Sequence, residues 1–390
     1  MSDYKIDNLF DWNSLEEEIV KIRRHFHRNP ELSFEEFETS KFIINFLKDN
    51  GYEVEAKIGG TGIAADLKSG VINKKTVAIR VDMDALPVTE KNNLEYKSQN
   101  AGVMHACGHD SHLAIGLGIA KVLAKLKEKI DGNVKLIFQP AEEKLQGAKA
   151  MLESGFLADS KIDFILGFHN WPELPAGQIG LKDDSIMAAV DKFEVDLLGR
   201  GGHGSEPHKT NDPVIMMNNF ITQLQTIISR KLNPLDSAVI SICQIEAGTA
   251  FNIIPDQVKL KGTIRSLNEN VREQIYQNIK KILDNLTSEG SYNLKYDKLV
   301  PALVNNSKVN ELIFETLNKD PELPEVKFIK NASLVGEDFA LFLKKIPGSY
   351  FFLGSGEDSG KLHDAEYNID EKMLIPGIKA LLGIVMKLIN

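Results

Sequence analysis

The feature that most constrains the fold is the alternation of apolar, strand-like runs with amphipathic helices. Strand-like runs occur at GIAADLKS, TVAIRVDMD, NVKLIFQ and FILGFH. One helix is predicted to begin at a capping box formed by Ser14 and Glu17, and others are predicted near 34–49, 111–129 and 147–153. This alternation is typical of an α/β layer with a largely parallel or mixed central sheet. In such layers, functional side chains belong at strand ends.

A second pattern begins near Met187, where the order becomes strand, helix, two strands, helix and strand. This βαββαβ order is that of ferredoxin-like domains. A chain of 390 residues also exceeds the size that one hydrophobic core serves. We therefore predict a larger α/β domain over 1–186 and 303–390, and an inserted α+β domain over 187–302 that acts as a lid.

Composition excludes several classes of partner. The formal net charge is -9 and basic residues form no stripe, so nucleic acid and anionic membranes are not expected as partners. No run reaches the roughly 18 apolar residues of a membrane span. The acidic N-terminal sequence does not resemble a signal peptide, and we expect a cytoplasmic protein. Of the two cysteines, Cys243 lies in the strand-like AVISICQI and is predicted to be buried.

The motif HACGHD is the first candidate for metal binding. Cys107 and His109 flank a glycine just before a predicted helix, so a thiolate and an imidazole can converge on one point. Such a pair is a plausible metal clamp. His25 and His27 lie beside three arginines and are interpreted as surface or satisfied core residues, not as metal ligands.

Two adjacent carboxylates follow the apolar strand VKLIF. Pro140 ends this strand, and Glu142 and Glu143 follow after Ala141. Neighbouring side chains of an extended chain point in opposite directions, so the two glutamates can have different roles. The alternative is that both are solvated surface residues.

Further candidates occur at other strand ends. His169 ends FILGFH, His363 follows YFFLG, and Asp82 and Asp84 lie two residues apart, so that they share one face. If the strands are parallel, these side chains meet at the same rim of the sheet. One metal site explains this pattern better than several separate coincidences.

The ordered motifs resemble those of the M20 family of metallohydrolases. They are RRHFHRNPELSFEE, RVDMDALPVTE, MHACGHDSHLA, FQPAEE, GFHNWPELPAG, GRGGHGSEPH, NIIPDQVKLKGTIRS, GEDFALF and LHDAEYNID. More narrowly, the chain resembles the branch that contains aminoacylases, hippurate hydrolases and plant auxin-conjugate hydrolases. The resemblance implies a zinc-exopeptidase-like central mixed sheet with helices on both faces, and an inserted ferredoxin-like lid that also dimerises.

The resemblance also implies two divalent metal ions per subunit, typically zinc or manganese, with cobalt or nickel as alternatives. The implied ligands are Cys107, His109, Glu143, His169 and His363, with the cysteine as the bridging ligand. Glu142 is implied as the general base and Asp84 as a residue that orients a ligand. A related branch has a metal-binding histidine where this chain has Asp82, which leaves the role of Asp82 open.

For the lid, the resemblance implies that it binds the substrate carboxylate and forms a homodimer or a higher homo-oligomer. His203 and Asn252 of one subunit would then complete the active site of another. Arg265 is a further candidate for the carboxylate contact.

The implied activity is hydrolysis of an N-acyl-L-amino acid, such as an N-acetyl or N-benzoyl derivative, by a metal-activated water. The alternatives are a dipeptidase or carboxypeptidase of the same family and an N-acetyldiaminopimelate deacetylase. A non-catalytic metal-binding protein is disfavoured because Glu142 is present. The acyl group, the amino acid and the metal are not specified by the sequence.

Overall fold

The computed structural model describes residues 10–68, 74–158, 161–286 and 290–389. The chain divides into two compact units. The first unit comprises Met1–Asp184, Val304–Asn331 and Asp338–Asn390, and the second comprises Ser185–Leu303 and Ala332–Glu337. Among the described residues, no helix combines the length and apolar character that crossing a membrane requires.

The regular elements follow in chain order. The α-helices are α1 (Trp12–Arg28), α2 (Phe37–Asp49), α3 (His109–Lys125), α4 (Gly147–Glu153), α5 (Pro213–Thr226), α6 (Glu269–Leu286), α7 (Ser307–Lys319), α8 (Ala340–Leu343) and α9 (Leu374–Ile389). The strands are β1 (Glu53–Ile58), β2 (Gly62–Leu67), β3 (Thr76–Asp82), β4 (Asn133–Gln139), β5 (Phe164–Trp171), β6 (Ile179–Leu181), β7 (Asp184–Met187), β8 (Ala189–Leu198), β9 (Gly202–His203), β10 (Ala238–Ala247), β11 (Ile253–Ile254), β12 (Gln257–Ser266), β13 (Ser291–Val300), β14 (Leu303–Asn305), β15 (Val326–Phe328) and β16 (Gly348–Gly354).

The first unit is built on one mixed sheet with the order β1-β2-β4-β3-β5-β16-β6-β15. The four central strands β4, β3, β5 and β16 pair in parallel. In register, Asp82 is opposite Gln139, and Gly354 is opposite Trp171. The carboxyl ends of these four strands therefore lie along one edge of the sheet, as the sequence predicts.

Helices cover both faces of this sheet because its central strands are buried on both sides. Val77, Ile79 and Val81 of β3 join the core that α3 fills, and α1 and α9 pack on α3. On the opposite face, the Arg80 guanidinium lies 5.9 Å from the centre of the Phe339 ring, next to α8. The predicted α/β fold with a mixed central sheet is confirmed.

The second unit contains an antiparallel sheet with the order β10-β12-β8-β13. Phe193 on β8, Phe220 on α5 and Ile279 on α6 share its hydrophobic core. The chain order β8-α5-β10-β12-α6-β13 and this strand order are those of a ferredoxin-like fold, as predicted. β10 forms one edge of the sheet.

The starts of three helices differ from the prediction. Asp11, and not Ser14, caps α1, because its carboxylate accepts the Ser14 N–H at 3.2 Å. α2 begins at Phe37, three residues later than predicted. α3 begins at His109, so this histidine belongs to the first turn of the helix and not to the preceding loop.

Cys243 was predicted to be buried, and this is wrong. The residue is exposed. It lies on the edge strand β10, at a register irregularity between Ile242 and Gln244. A period of two cannot distinguish the buried side of a central strand from an open edge, because strand order depends on distant parts of the chain.

Candidate metal centre

The five predicted ligands lie close together at the carboxyl edge of the central strands. The Cys107 Sγ is 3.4 Å from His169 Nε2. His109 Nε2 is 4.0 Å from Glu143 Oε1, and His363 Nε2 is 3.5 Å from Glu143 Oε2. Residues that are up to 256 positions apart in the chain are thus neighbours in space.

These side chains form two groups that share the cysteine. Cys107, His109 and His169 form one group, and Cys107, Glu143 and His363 form the other; in each, the ligand atoms lie within 4.8 Å of one another. A thiolate that belongs to both groups has the position of a bridging ligand. The geometry is therefore suited to two cations side by side.

Unpaired polar atoms indicate that the donor set fits a cation. His109 Nε2 and Glu143 Oε1 are buried and have no hydrogen-bond partner among the described residues. Buried polar atoms are normally paired, so such atoms need an explanation. Imidazole, thiolate and carboxylate together suit divalent transition metals such as zinc.

Gly108 brings the HACGHD loop against the end of β5. Its φ of 79° is in the left-handed region, and a Cβ here would lie 2.7 Å from the Asn170 amide nitrogen. A glycine is required on both counts. His109 Nδ1 then lies 2.9 Å from the Asp84 carbonyl oxygen, which leaves Nε2 directed to the site.

A tight turn after β4 carries the two glutamates. Ala141 has a φ of 51°. The prediction that Glu142 and Glu143 point in opposite directions is wrong, because the chain turns here and is not extended. Both carboxylates lie 4.0 Å from His109 Nε2.

The Asp84 carboxylate holds this turn in place. It accepts the backbone N–H groups of Glu142 and Glu143, each at 3.1 Å, and the Ser33 hydroxyl at 2.6 Å. Burial raises the pKa of Asp84, but hydrogen bonds and charge from His109, with the Ser33 hydroxyl, outweigh burial and hold the pKa below its usual value. The carboxylate therefore stays charged and orients the segment that carries both glutamates.

His363 lies in the loop after β16 in a rarely adopted conformation. Its φ is 68°, its side chain is 50% exposed, and its backbone N–H donates to the Ala106 carbonyl at 2.8 Å. A positive φ in a residue other than glycine costs about 1 to 3 kcal/mol and occurs mainly at functional sites. The surrounding loop holds the imidazole beside Glu143 in spite of this cost.

A family model for peptidase family M20/M25/M40 matches residues 78–387. The chain belongs to this family. A relative, the N-acetyl-L-cysteine deacetylase of Bacillus subtilis, is 40% identical over 371 residues, which cover 94% of this chain and 87% of the relative. The hippurate hydrolase of Campylobacter jejuni is 39% identical over 362 residues, which cover 92% and 94%.

A solved structure is also similar over nearly the whole chain. It is that of the Bacillus subtilis YXEP protein, a dinuclear metal binding peptidase of the M20 family, with a TM-score of 0.85, 31% identity and coverage of 97% of this chain and 99% of that one. The predicted family is confirmed. The present chain, as a member of the M20 family, is a hydrolase of amide bonds.

Burial dominates the electrostatics of the M20 centre. It raises the pKa of the Cys107 thiol well above its usual value and the pKa of Glu143 to about 7, and it lowers the pKa of His169 well below the usual value. Burial lowers the pKa of His109, but Asp82 and other carboxylates raise it, to about 10 overall. Cations that bind such a centre replace protons.

Two predicted lid residues lie together, and the third does not. His203 on β9 pairs with Ile253 on β11, the Gly204 N–H donates to the Asn252 carbonyl at 2.9 Å, and His203 and Asn252 are both exposed. Arg265 lies near the carboxyl end of β12. At about 3.3 Å per residue, it is about 26 Å along the strand from Gln257, the first residue of β12. Its guanidinium donates to the Ile264 carbonyl at 3.1 Å.

His27 is a satisfied core residue, which is one of the two alternatives that the sequence leaves open. His27 is buried, its Nδ1 lies 2.7 Å from an Asp110 oxygen, and its Nε2 lies 3.1 Å from a Glu90 oxygen. Arg23 also contacts Asp110, at 2.8 Å. Arg23 and His27 lie four residues apart on the apolar face of α1, and this spacing in the sequence indicates that both are buried. This cluster ties α1 to the residue after His109.

The charge of His27 predicts a pH-dependent stability. Burial lowers its pKa, but Asp110 and Glu90 raise it above the usual value overall. The stabilisation is therefore complete below about pH 6.5, the usual pKa, and is lost as pH rises through the raised pKa. We expect His27→Gln to reduce the free energy of unfolding by about 3 kcal/mol at pH 6, and by less at each higher pH.

Denaturant unfolding from pH 6 to pH 9 measures this difference. His25→Gln is the matched control, because His25 is exposed on the same helix and burial with Arg28 lowers its pKa. A difference between wild type and His27→Gln that stays constant with pH would show that His27 is neutral in the folded protein.

Proposed function

We propose that this M20 protein is a metal-dependent amidohydrolase that hydrolyses N-acyl-L-amino acids to the free amino acid and a carboxylic acid. The observation that carries the proposal is the convergence of one thiol, three imidazoles and one carboxylate around Glu142. The Glu142 carboxylate is buried and lies 4.0 Å from His109 Nε2, so it is beside the ligands.

Two divalent ions would share the centre, with Cys107 between them. The first would be held by His109 and His169, and the second by Glu143 and His363, in line with the two groups of ligand atoms. We propose zinc or manganese, and cobalt or nickel also suit these donors. When bound, the ions supply the Lewis acidity that makes water a nucleophile at neutral pH.

Glu142 is the proposed general base. Its backbone N–H is fixed by the Asp84 carboxylate, and its side chain is 7% exposed, so the carboxylate is held at the edge of the ligand cluster. It would take the proton of the attacking water and return it to the leaving amine. Asp84 would act through the turn that it holds, without touching the substrate.

The names of the two relatives support N-acyl amino acids as the substrate class. One is an N-acetyl-L-cysteine deacetylase and the other a hippurate hydrolase, whose substrate is an N-benzoyl amino acid. A second candidate is an exopeptidase, which the peptidase nature of the YXEP protein favours. Both candidates use the same water and the same base, and they differ in the group on the acyl side.

A single assay series tests the function and the base. With saturating metal, we expect hydrolysis of N-acetyl or N-benzoyl amino acids to exceed that of unblocked dipeptides. Glu142→Gln should lower kcat by about 100-fold to 10,000-fold, because the variant lacks the proton acceptor, while it still binds two ions. The measurements are chromatographic quantification of the released amino acid and the metal content of the protein.

Glu143→Gln is the matched control, since it removes the neighbouring carboxylate that is proposed as a ligand. It should lower metal content as well as kcat. Faster cleavage of unblocked dipeptides would favour the exopeptidase, and a kcat of Glu142→Gln within tenfold of wild type would refute the assignment of the base.

The lid would bind substrate and form a homodimer or a higher homo-oligomer. His203 supports this role, because its Nδ1 accepts the backbone N–H of Ser205 at 3.1 Å. The ring proton then lies on Nε2, which can donate to the oxyanion that forms on the substrate. Asn252 would contribute beside it.

The separation of Arg265 from His203 supports a site shared between subunits. Arg265 lies about 26 Å along β12 from Gln257, which pairs with Leu198 of the strand that precedes His203, so the two candidates lie toward opposite ends of the sheet. If Arg265 of one subunit binds the carboxylate, His203 and Asn252 must come from another. The edge strand β10, with Val239 38% and Ile245 48% exposed, offers a surface for the association.

Mixed dimers test the shared site. We expect His203→Ala and Cys107→Ala each to be inactive as homodimers. Heterodimers of the two variants, isolated with two affinity tags, should recover about half of the wild-type activity, because one of the two sites in a symmetric dimer is then complete. Heterodimers as inactive as either parent would refute the shared site.

We further propose that the protein acts in the cytoplasm, without nucleic acid or membrane as a partner. The net charge of -9 supports the absence of nucleic acid and membrane partners, because anionic polymers and surfaces repel such a chain.

A further inference from the structure

We propose that His112 is a positioning residue that fixes the metal ligand His169, and that Asp82 serves to hold His112 in the tautomer this task requires. The proposal rests on the proposed function, in which His169 is a ligand. It gives a role to Asp82, which the sequence leaves open, and to a histidine for which the mechanism so far has no use.

Asp82 is committed to two partners. One of its oxygens accepts an N–H of Arg80 at 2.7 Å, and the other lies 2.6 Å from His112 Nδ1. All three side chains are fully buried. The Asp82 carboxylate is therefore used in an internal network, and it is 3.8 Å from the nearer ring nitrogen of His109.

The proton of His112 can be assigned from its second partner. The Asn170 backbone N–H, which can only donate, lies 3.0 Å from His112 Nε2. Nε2 therefore carries the lone pair and Nδ1 carries the proton, which Asp82 accepts. With both nitrogens engaged, His112 is not a metal ligand, although its ring centre is 5.3 Å from that of His109.

The network reaches His169 through one residue of the backbone. His112 holds Asn170 by its N–H, and the Asn170 carbonyl lies 2.7 Å from His169 Nδ1. This second contact directs His169 Nε2 to the side where Cys107 Sγ lies at 3.4 Å. A change of tautomer at His112 would set two N–H donors against each other and displace the end of β5.

Loss of a residue that holds a metal ligand in place typically weakens metal affinity about 10-fold to 100-fold. His112→Asn keeps a donor near Asp82 but removes the acceptor for the Asn170 N–H. His112→Gln can place its amide oxygen close to the former position of Nε2 and thus keep that acceptor. The two variants therefore separate the contact to Asn170 from general packing.

The measurement is the dissociation constant of each zinc ion, by competition with a chromogenic chelator, with the Tm of the metal-free protein as a second readout. In His112→Asn, we expect the ion held by His109 and His169 to bind about 10-fold to 100-fold more weakly than in wild type. The affinity of His112→Gln for this ion should lie between those of His112→Asn and wild type. The ion held by Glu143 and His363 should change less.

His105→Gln is the matched control. His105 is fully buried, and neither ring nitrogen has a hydrogen-bond partner among the described residues, so this variant loses packing without losing a contact to Asn170. It should lower the Tm while both zinc affinities stay within about twofold. If His112→Asn does not fold, Asp82→Asn asks the same question, because it removes the charge that fixes the tautomer, and it should weaken the same ion.

Three results would overturn the proposal. They are wild-type affinity for both ions in His112→Asn, an equal loss in His105→Gln, and a maximum of one bound ion in His112→Gln at saturating zinc, which would make His112 a ligand. Because the readout is metal and not turnover, a wild type that binds two ions but leaves N-acyl amino acids intact would refute the substrate class alone.

Discussion

The centre depends on one buried residue, Asp84. Its carboxylate accepts both backbone N–H groups of the Glu142–Glu143 turn, and its carbonyl lies within hydrogen-bond distance of His109 Nδ1. It thereby ties the segment after β3, the turn after β4 and the first turn of α3 to one another. These contacts hold both glutamate carboxylates close to the His109 imidazole.

The imidazoles of the centre are fixed in the same way. His109 and His169 each have Nδ1 beside a backbone carbonyl, at 2.9 Å and 2.7 Å, which leaves Nε2 for a cation. Partners of this kind set the tautomer and the orientation of metal-binding histidines. All five proposed ligands belong to the first unit, whereas the three candidate substrate residues belong to the second. The proposed chemistry and the proposed specificity thus reside in separate units.

The sequence predicts the parts of this arrangement that depend on topology. Carboxyl ends of parallel strands meet at one edge, so the sequence predicts that His169, His363 and the glutamates after β4 lie at the same edge of the sheet. The βαββαβ order of the second unit follows from its pattern of elements in the same way. The family resemblance supplied the ligand set and the base.

Features that depend on distant packing could not be predicted. The pKa of the buried His27 is raised by Asp110 and Glu90, which approach it from far along the chain. Cys243 is exposed at the register shift between Ile242 and Gln244 of the edge strand β10, and local alternation encodes neither strand order nor such a shift. The network of Asp82 depends on Arg80 from its own strand and on His112 from α3, and only the first of these is visible as a short spacing.

Anomalous diffraction from crystals grown with zinc, recorded at the absorption edge of the metal, tests the proposed two-cation centre at Cys107. We expect two peaks about 3.5 Å apart on either side of the Cys107 sulfur, one near His109 and His169 and the other near Glu143 and His363. A single peak, or peaks that leave Cys107 uncoordinated, would contradict it.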